Sequence, residues 1–126
     1  PLSEIGRAIE SHAKKHKFGV VRSFIGHGIG EQFHTDIQVL HYFDSRNSVV
    51  MREGMTFTIE PMITLGSERT KVLADNWTVV TIDQSRGSHF ENSYCIAPDG
   101  KPFVLTEVDG GAAKLAQFGL EVSPLL

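Results

Sequence analysis

The sequence predicts an α+β fold made mainly of antiparallel strands, and three observations carry that prediction. Ile5, Ala8, Ile9 and Ala13 recur at the spacing of one helical face near the start of the chain. Several short runs of alternating apolar and polar residues follow, separated by glycine, proline and asparagine. No repeat, linker or low-complexity tract divides the 126 residues, which have the size of one compact domain.

The helical face is expected to start at Ser3, whose hydroxyl can cap it, and to end at Phe18-Gly19. The chain opens almost on that cap, so it is expected to have been cut from something longer. Val20 to Phe24 reads as a strand, Gly26 to Gly30 as a glycine-punctuated loop, and the residues up to Asn47 as a polar, irregular stretch. Met55 to Pro61 reads as a second strand, with Phe57 and Ile59 on one face and Thr56, Thr58 and Glu60 on the other. Trp77 to Ile82, Ser88 to Ile96 and Pro102 to Thr106 supply three more strands, and the small-residue segment from Gly110 to Phe118 a final helix.

Composition excludes several classes of function. With 12 basic and 15 acidic residues the net charge is -3, which argues against nucleic acid as a partner, because neutralising phosphates needs a basic face. The one basic cluster, Lys14, Lys15 and Lys17, sits at the end of the expected helix, where it meets the helix dipole favourably as a solvated end. No apolar run reaches the roughly 20 residues that a membrane helix needs, and PLSEIGRAIE lacks a secretory layout. A single cysteine, Cys95, cannot form an intramolecular disulfide, which agrees with a reducing setting. A cytoplasmic location follows as the expectation.

The residues that could carry chemistry are histidines and carboxylates. His27 lies between glycines in Gly26-His27-Gly28-Ile29-Gly30, a loop able to bring backbone close to a metal or substrate, or simply a glycine loop with an incidental imidazole. His34 follows seven residues later, while His12, His16 and His41 read as ordinary helix or loop histidines. Glu60 ends the polar face of its strand just before Pro61, and Glu91 holds a like position in its own strand. If those strands pair as antiparallel neighbours, the two carboxylates can face one another. They would then repel unless a cation or a shared proton compensates. One imidazole with two carboxylates suits zinc, manganese, iron or cobalt, although the spacings match no short metal motif.

The segments GHGIGEQFH (26–34), GMTFTIEPMI (54–63), NWTVVT (76–81) and SHFENSYCIAPDG (88–100), in this order, resemble the type I methionine aminopeptidases of metallopeptidase family M24. The likeness includes VLHYFDSRNSVVMREG and runs from about Glu4 to Thr106. GHGIG alone also suits other pita-bread metallopeptidases, such as prolidase and aminopeptidase P, whereas the Thr-Ile-Glu-Pro-Met string points to the methionine branch.

The resemblance implies half of a pita-bread fold, a curved and mainly antiparallel sheet under one or two helices, with residues 1–126 forming the carboxyl-terminal half of the catalytic domain. It implies a metal-dependent hydrolase that removes the initiator methionine from peptides and nascent chains through two divalent ions (cobalt, manganese, iron or zinc). His27, Glu60 and Glu91 correspond to metal ligands, with Glu91 bridging the ions. His34 corresponds to the catalytic histidine that contacts the scissile amide, and Phe33 and Trp77 to residues lining the methionine pocket.

The family's two aspartate ligands and a further catalytic histidine lie in the other half of the fold. None of Asp36, Asp44, Asp75, Asp83, Asp99 and Asp109 stands in the expected pattern. With three of five ligands, the chain is expected to hold metal weakly and to be inactive alone, unless an amino-terminal half or a second copy of the chain completes it. Asn92 replaces the usual histidine after Glu91, His89 stands where glutamine is common, and Phe43 looks inserted. The other reading is a pita-bread relative that has lost catalysis and serves as a binding module, against which retention of His27, His34, Glu60 and Glu91 speaks.

Overall fold

The first helix begins where a buried side chain anchors the chain. In the computed structural model, which describes residues 1–108 and 112–120, α1 spans Ser3–Lys15. Ser3 does not cap it: Leu2 holds the cap position, fully buried, and no side chain bonds to the free amides. Backbone carbonyls replace the cap, since the Leu2 N–H donates to Val49 O at 2.8 Å and the Ser3 N–H to Asn47 O at 3.2 Å.

The other end of α1 closes two residues before the expected stop. Lys17 adopts a left-handed conformation, φ 61°, in the position usually given to glycine. The Phe18 N–H then reaches Ala13 O at 2.9 Å and the Lys17 N–H reaches Lys14 O at 3.0 Å, closing the last turn. In the middle of the helix Gly6 lies against the backbone of Leu40 and Tyr42, where a Cβ would collide with the Tyr42 carbonyl. That close approach seats α1 on the 40–42 segment.

After α1 come β1 (Gly19–Val20), β2 (Gly26–Gly28), β3 (Thr35–Val39), β4 (Thr56–Ile59), β5 (Met62–Thr64), β6 (Thr70–Val72), β7 (Val79–Thr81), β8 (Gly87–His89), β9 (Asn92–Ile96) and β10 (Pro102–Val104), then a short α2 (Ala112–Ala116). All pairings are antiparallel: a five-stranded sheet in the order β10-β9-β4-β2-β3, a three-stranded sheet β1-β5-β8 and a ribbon β6-β7. The expected fold class is therefore observed, with differences of detail. Of the first strand only Gly19 and Val20 form β1, and the Val21 N–H still reaches Met62 O at 3.0 Å. The glycine loop is in part β2, and the irregular stretch contains β3. The expected helix from Gly110 to Phe118 is described only from Ala112 onward and forms five residues.

The strands read as Met55–Pro61 and Ser88–Ile96 both break, and they break together. β4 pairs β9 with Thr56 opposite Cys95 and Ile59 opposite Asn92, and β5 pairs β8 with Met62 opposite His89 and Thr64 opposite Gly87. One register runs through both pairings, so a single long ribbon is interrupted only at Glu60-Pro61 and Phe90-Glu91. Pro61 has no N–H to give to the ladder, a sufficient reason for the gap.

The core sits on the face of the large sheet that carries Phe57. Leu2, Val39, Phe57 and Ile96 are buried together, with Ile5, Ile37, Met51, Met55, Ile59 and Tyr94 packed around them. Burying four such side chains contributes on the order of 6–12 kcal/mol of gross hydrophobic stabilisation. The alternation expected for Thr56 to Glu60 holds, with Phe57 directed into this core.

Two outcomes follow. Lys17→Gly is expected to stabilise the fold by about 1 kcal/mol, the relief of a left-handed non-glycine residue, read as a higher urea midpoint. Asp83 accepts hydrogen bonds from the Ser67 N–H at 2.6 Å and from the Ser85 hydroxyl and N–H at 2.8 and 3.1 Å, and these donors, Ser67 first, hold its carboxyl at about 2, below the ordinary 3.8. A depressed folded-state pKa stabilises above the unfolded value, so this contribution is complete above about pH 4 and fades as pH falls towards 2. Urea midpoints measured between pH 5 and 2 should therefore decline less steeply in Asp83→Asn than in the parent chain.

Candidate metal centre

The break in the long ribbon is where the polar side chains converge. Continuing the β4–β9 register by one step places Glu60 opposite Glu91. Like charges directly opposite one another on a sheet are destabilising, so the pair asks for a compensating cation or proton. His27 comes to the same place from β2, the neighbour of β4 on its other side. One ligand atom from each of His27, Glu60 and Glu91 lies within 4.8 Å of the others.

Glycine matters around His27 for a reason of space rather than backbone freedom. A Cβ at Gly26 would strike the Thr58 carbonyl, and one at Gly28 the Thr35 hydroxyl, so only glycine lets β2 lie this close to its neighbours. The register also slips between His27 and Gly28, a bulge of the kind that re-aims a side chain.

Thr58 joins two of the three candidate ligands. Its hydroxyl oxygen accepts the His27 backbone N–H at 3.0 Å and its O–H donates to Glu60 Oε1 at 2.8 Å. The His27 ring lies with Nδ1 3.0 Å from the Gly28 carbonyl, which can only accept. The proton is thereby placed on Nδ1, leaving the Nε2 lone pair towards Glu60 Oε1 at 3.7 Å. A neutral imidazole with a free Nε2, two carboxylates and a hydroxyl-oriented oxygen fit a divalent cation.

His41 lies behind Glu60, and sequence reasoning took it for an incidental loop histidine. It is 1% exposed, and its Nε2 accepts the Glu60 N–H at 3.1 Å. Burial holds its pKa down at about 4, against the raising influence of the Glu60 carboxylate, and the ring is neutral near pH 7. His89 is a second residue missed as a participant. Its Nε2 stands 3.5 Å from Glu60 Oε2. The signals available beforehand were the alternations Thr58-x-Glu60 and His89-x-Glu91, each placing two side chains on one strand face.

The remaining candidates divide. His34 packs on His27 with ring centroids 4.1 Å apart, and Phe33 lies 5.5 Å from His27 and 4.6 Å from His34. Phe33 is nevertheless 73% exposed. Trp77 is 87% exposed in the turn joining β6 to β7, where Asp75 accepts its N–H at 3.1 Å. Among the described residues, no aspartate joins the cluster; Asp109 lies outside them.

Residues 1–98 match the profile of metallopeptidase family M24. The methionine aminopeptidase of Haemophilus influenzae is 41% identical over 99 residues, which are 79% of this chain and 37% of that protein. Solved methionine aminopeptidases from Rickettsia prowazekii and Thermotoga maritima superpose with TM-scores of 0.79 and 0.80 at 41% and 38% identity. Each covers 84% of this chain, which corresponds to 43% and 42% of theirs. The chain thus spans about two fifths of the length of the relatives it matches.

Thr58→Val keeps the shape of the site and removes both hydroxyl bonds. It is expected to weaken Co²⁺ binding about 10- to 100-fold, as loss of an orienting partner does, in a titration followed by visible absorbance.

Proposed function

The chain belongs to metallopeptidase family M24, and from that premise we propose that it forms the carboxyl-terminal half of the catalytic domain of a methionine aminopeptidase, which removes the first methionine from peptides and nascent chains. The observation that carries this reading is the convergence of His27, Glu60 and Glu91 from three strands on one point. Over the superposed part the fold is that of the pita-bread methionine aminopeptidases.

In this reading His27 Nε2, Glu60 and Glu91 would hold divalent metal, drawn from cobalt, manganese, iron and zinc. A bound divalent ion supplies Lewis acidity for amide hydrolysis near neutral pH. The chain's own residues do the rest. Gly28 O and the Thr58 hydroxyl fix the direction of His27 and of Glu60 Oε1. His34, packed against His27 with its ring tilted, hydrogen-bonds the scissile amide and steadies the charge that develops on it. Phe33 offers an apolar surface beside that point for the methionine side chain, and Trp77 closes the pocket if the β6–β7 ribbon folds towards it.

The two further carboxylate ligands would be supplied by an amino-terminal half or by a second copy of the chain. The compartment we propose is the cytoplasm: among the described residues no helix is long and apolar enough to cross a membrane, and Cys95 is free. The 126-residue chain with added Mn²⁺ or Co²⁺ is expected to release no methionine from a Met-Ala-Ser peptide. Supplying the amino-terminal half of a relative should restore release, and Glu91→Gln should return it to background. Release by the isolated chain, or release indifferent to Glu91, would overturn the assignment, and absence of metal binding even in the combined protein would favour a binding module.

A further inference from the structure

We propose that His89 is a fourth donor of the metal centre, making its set within this chain two imidazoles and two carboxylates. The inference rests on the reading of His27, Glu60 and Glu91 as ligands and adds a residue that this reading leaves unused.

The placement follows from the ribbon. Glu91 and His89 are two residues apart on one extended strand, so their side chains leave the same face. Glu60 stands opposite Glu91, which makes His89 its diagonal neighbour across the break, within reach of a long side chain. The Glu60 carboxylate is thereby set between two imidazoles: Oε1 lies 3.7 Å from His27 Nε2, and Oε2 lies 3.5 Å from His89 Nε2. Two donors on one tetrahedral ion, each about 2.1 Å from it, are about 3.4 Å apart. Each pair is at the spacing of a coordination edge and longer than an ordinary hydrogen bond, through different oxygens of Glu60. The donors within 4.8 Å of one another are His27, Glu60 and Glu91, and His89 approaches them by way of Glu60 Oε2. A structural role explains His89 less well, since its side chain is 42% exposed and its pairing with Met62 requires only its backbone.

The chemical consequence is a shift in selectivity. A second imidazole moves the donor set from oxygen-rich towards borderline, favouring Co²⁺ and Zn²⁺ over Mn²⁺. It also compensates in part for carboxylate oxygens that this chain does not supply.

The test uses the full 126-residue chain, Co²⁺ titration by visible absorbance, and pulsed electron paramagnetic resonance of the Cu²⁺-loaded chain to count coordinated imidazoles. The parent chain should show two imidazoles. His89→Gln should show one and bind Co²⁺ about tenfold or more weakly, with a smaller loss for Mn²⁺. His27→Ala should also lower the count by one. If His27→Ala weakens binding while His89→Gln leaves count and affinity at parent values, the metal site stands and the proposal for His89 falls. A parent count of one, with affinity lost in His89→Gln, would make His89 a positioning residue and also overturn donation. If neither substitution has an effect, the reading of the metal site itself fails.

Discussion

The missing amide of Pro61 is the constraint on which the site depends. An antiparallel ribbon in one register from Thr56 to Thr64 and from Gly87 to Cys95 would normally hydrogen-bond throughout its length. Where the ladder opens, two carboxylates face each other. On the other side of the strand the Glu60 N–H donates to the buried His41. The polar site thus lies between the open ladder and a buried histidine.

From that break the demands spread outward. His41 can lie behind Glu60 because the 40–42 segment is pressed against α1, and it can be pressed there because residue 6 has no side chain. Leu2 and the carbonyls of Asn47 and Val49 fix the start of the same helix. On the other flank, β2 approaches β4 closely because Gly26 and Gly28 leave room for Thr58 and Thr35. Helix packing, the glycine-rich strand and the core around Phe57 therefore bear on the position of one carboxylate. Rigid neighbours of this kind are what a metal site needs, since its donors must be held in place before the ion arrives.

The cluster is asymmetric in its support. His27 and Glu60 are sheltered and tied by Thr58, whereas Glu91 and His89 lie on the exposed side of the ribbon. Phe33 and Trp77 are more open still. The buried side is thus shaped by this chain alone. The open side is where further ligands and the substrate would be added.

The sequence by itself determined the strand alternation from Thr56 to Glu60, the residue types able to bind metal, and, through motifs such as GMTFTIEPM, the family. These are local patterns, legible because a strand repeats every two residues and a ligand motif keeps its residue types. It did not determine the start of α1, where carbonyls from Asn47 and Val49 stand in for a cap, or the stop at Lys17. Nor did it reveal that His41 is buried, that His89 meets Glu60, or that Trp77 is exposed in the turn between β6 and β7. The stop at Lys17 turns on a left-handed residue that is not glycine, and the others on pairing or packing between segments distant along the chain; the shared register of the two strand pairs, interrupted at Pro61, is what sets His89 beside Glu60.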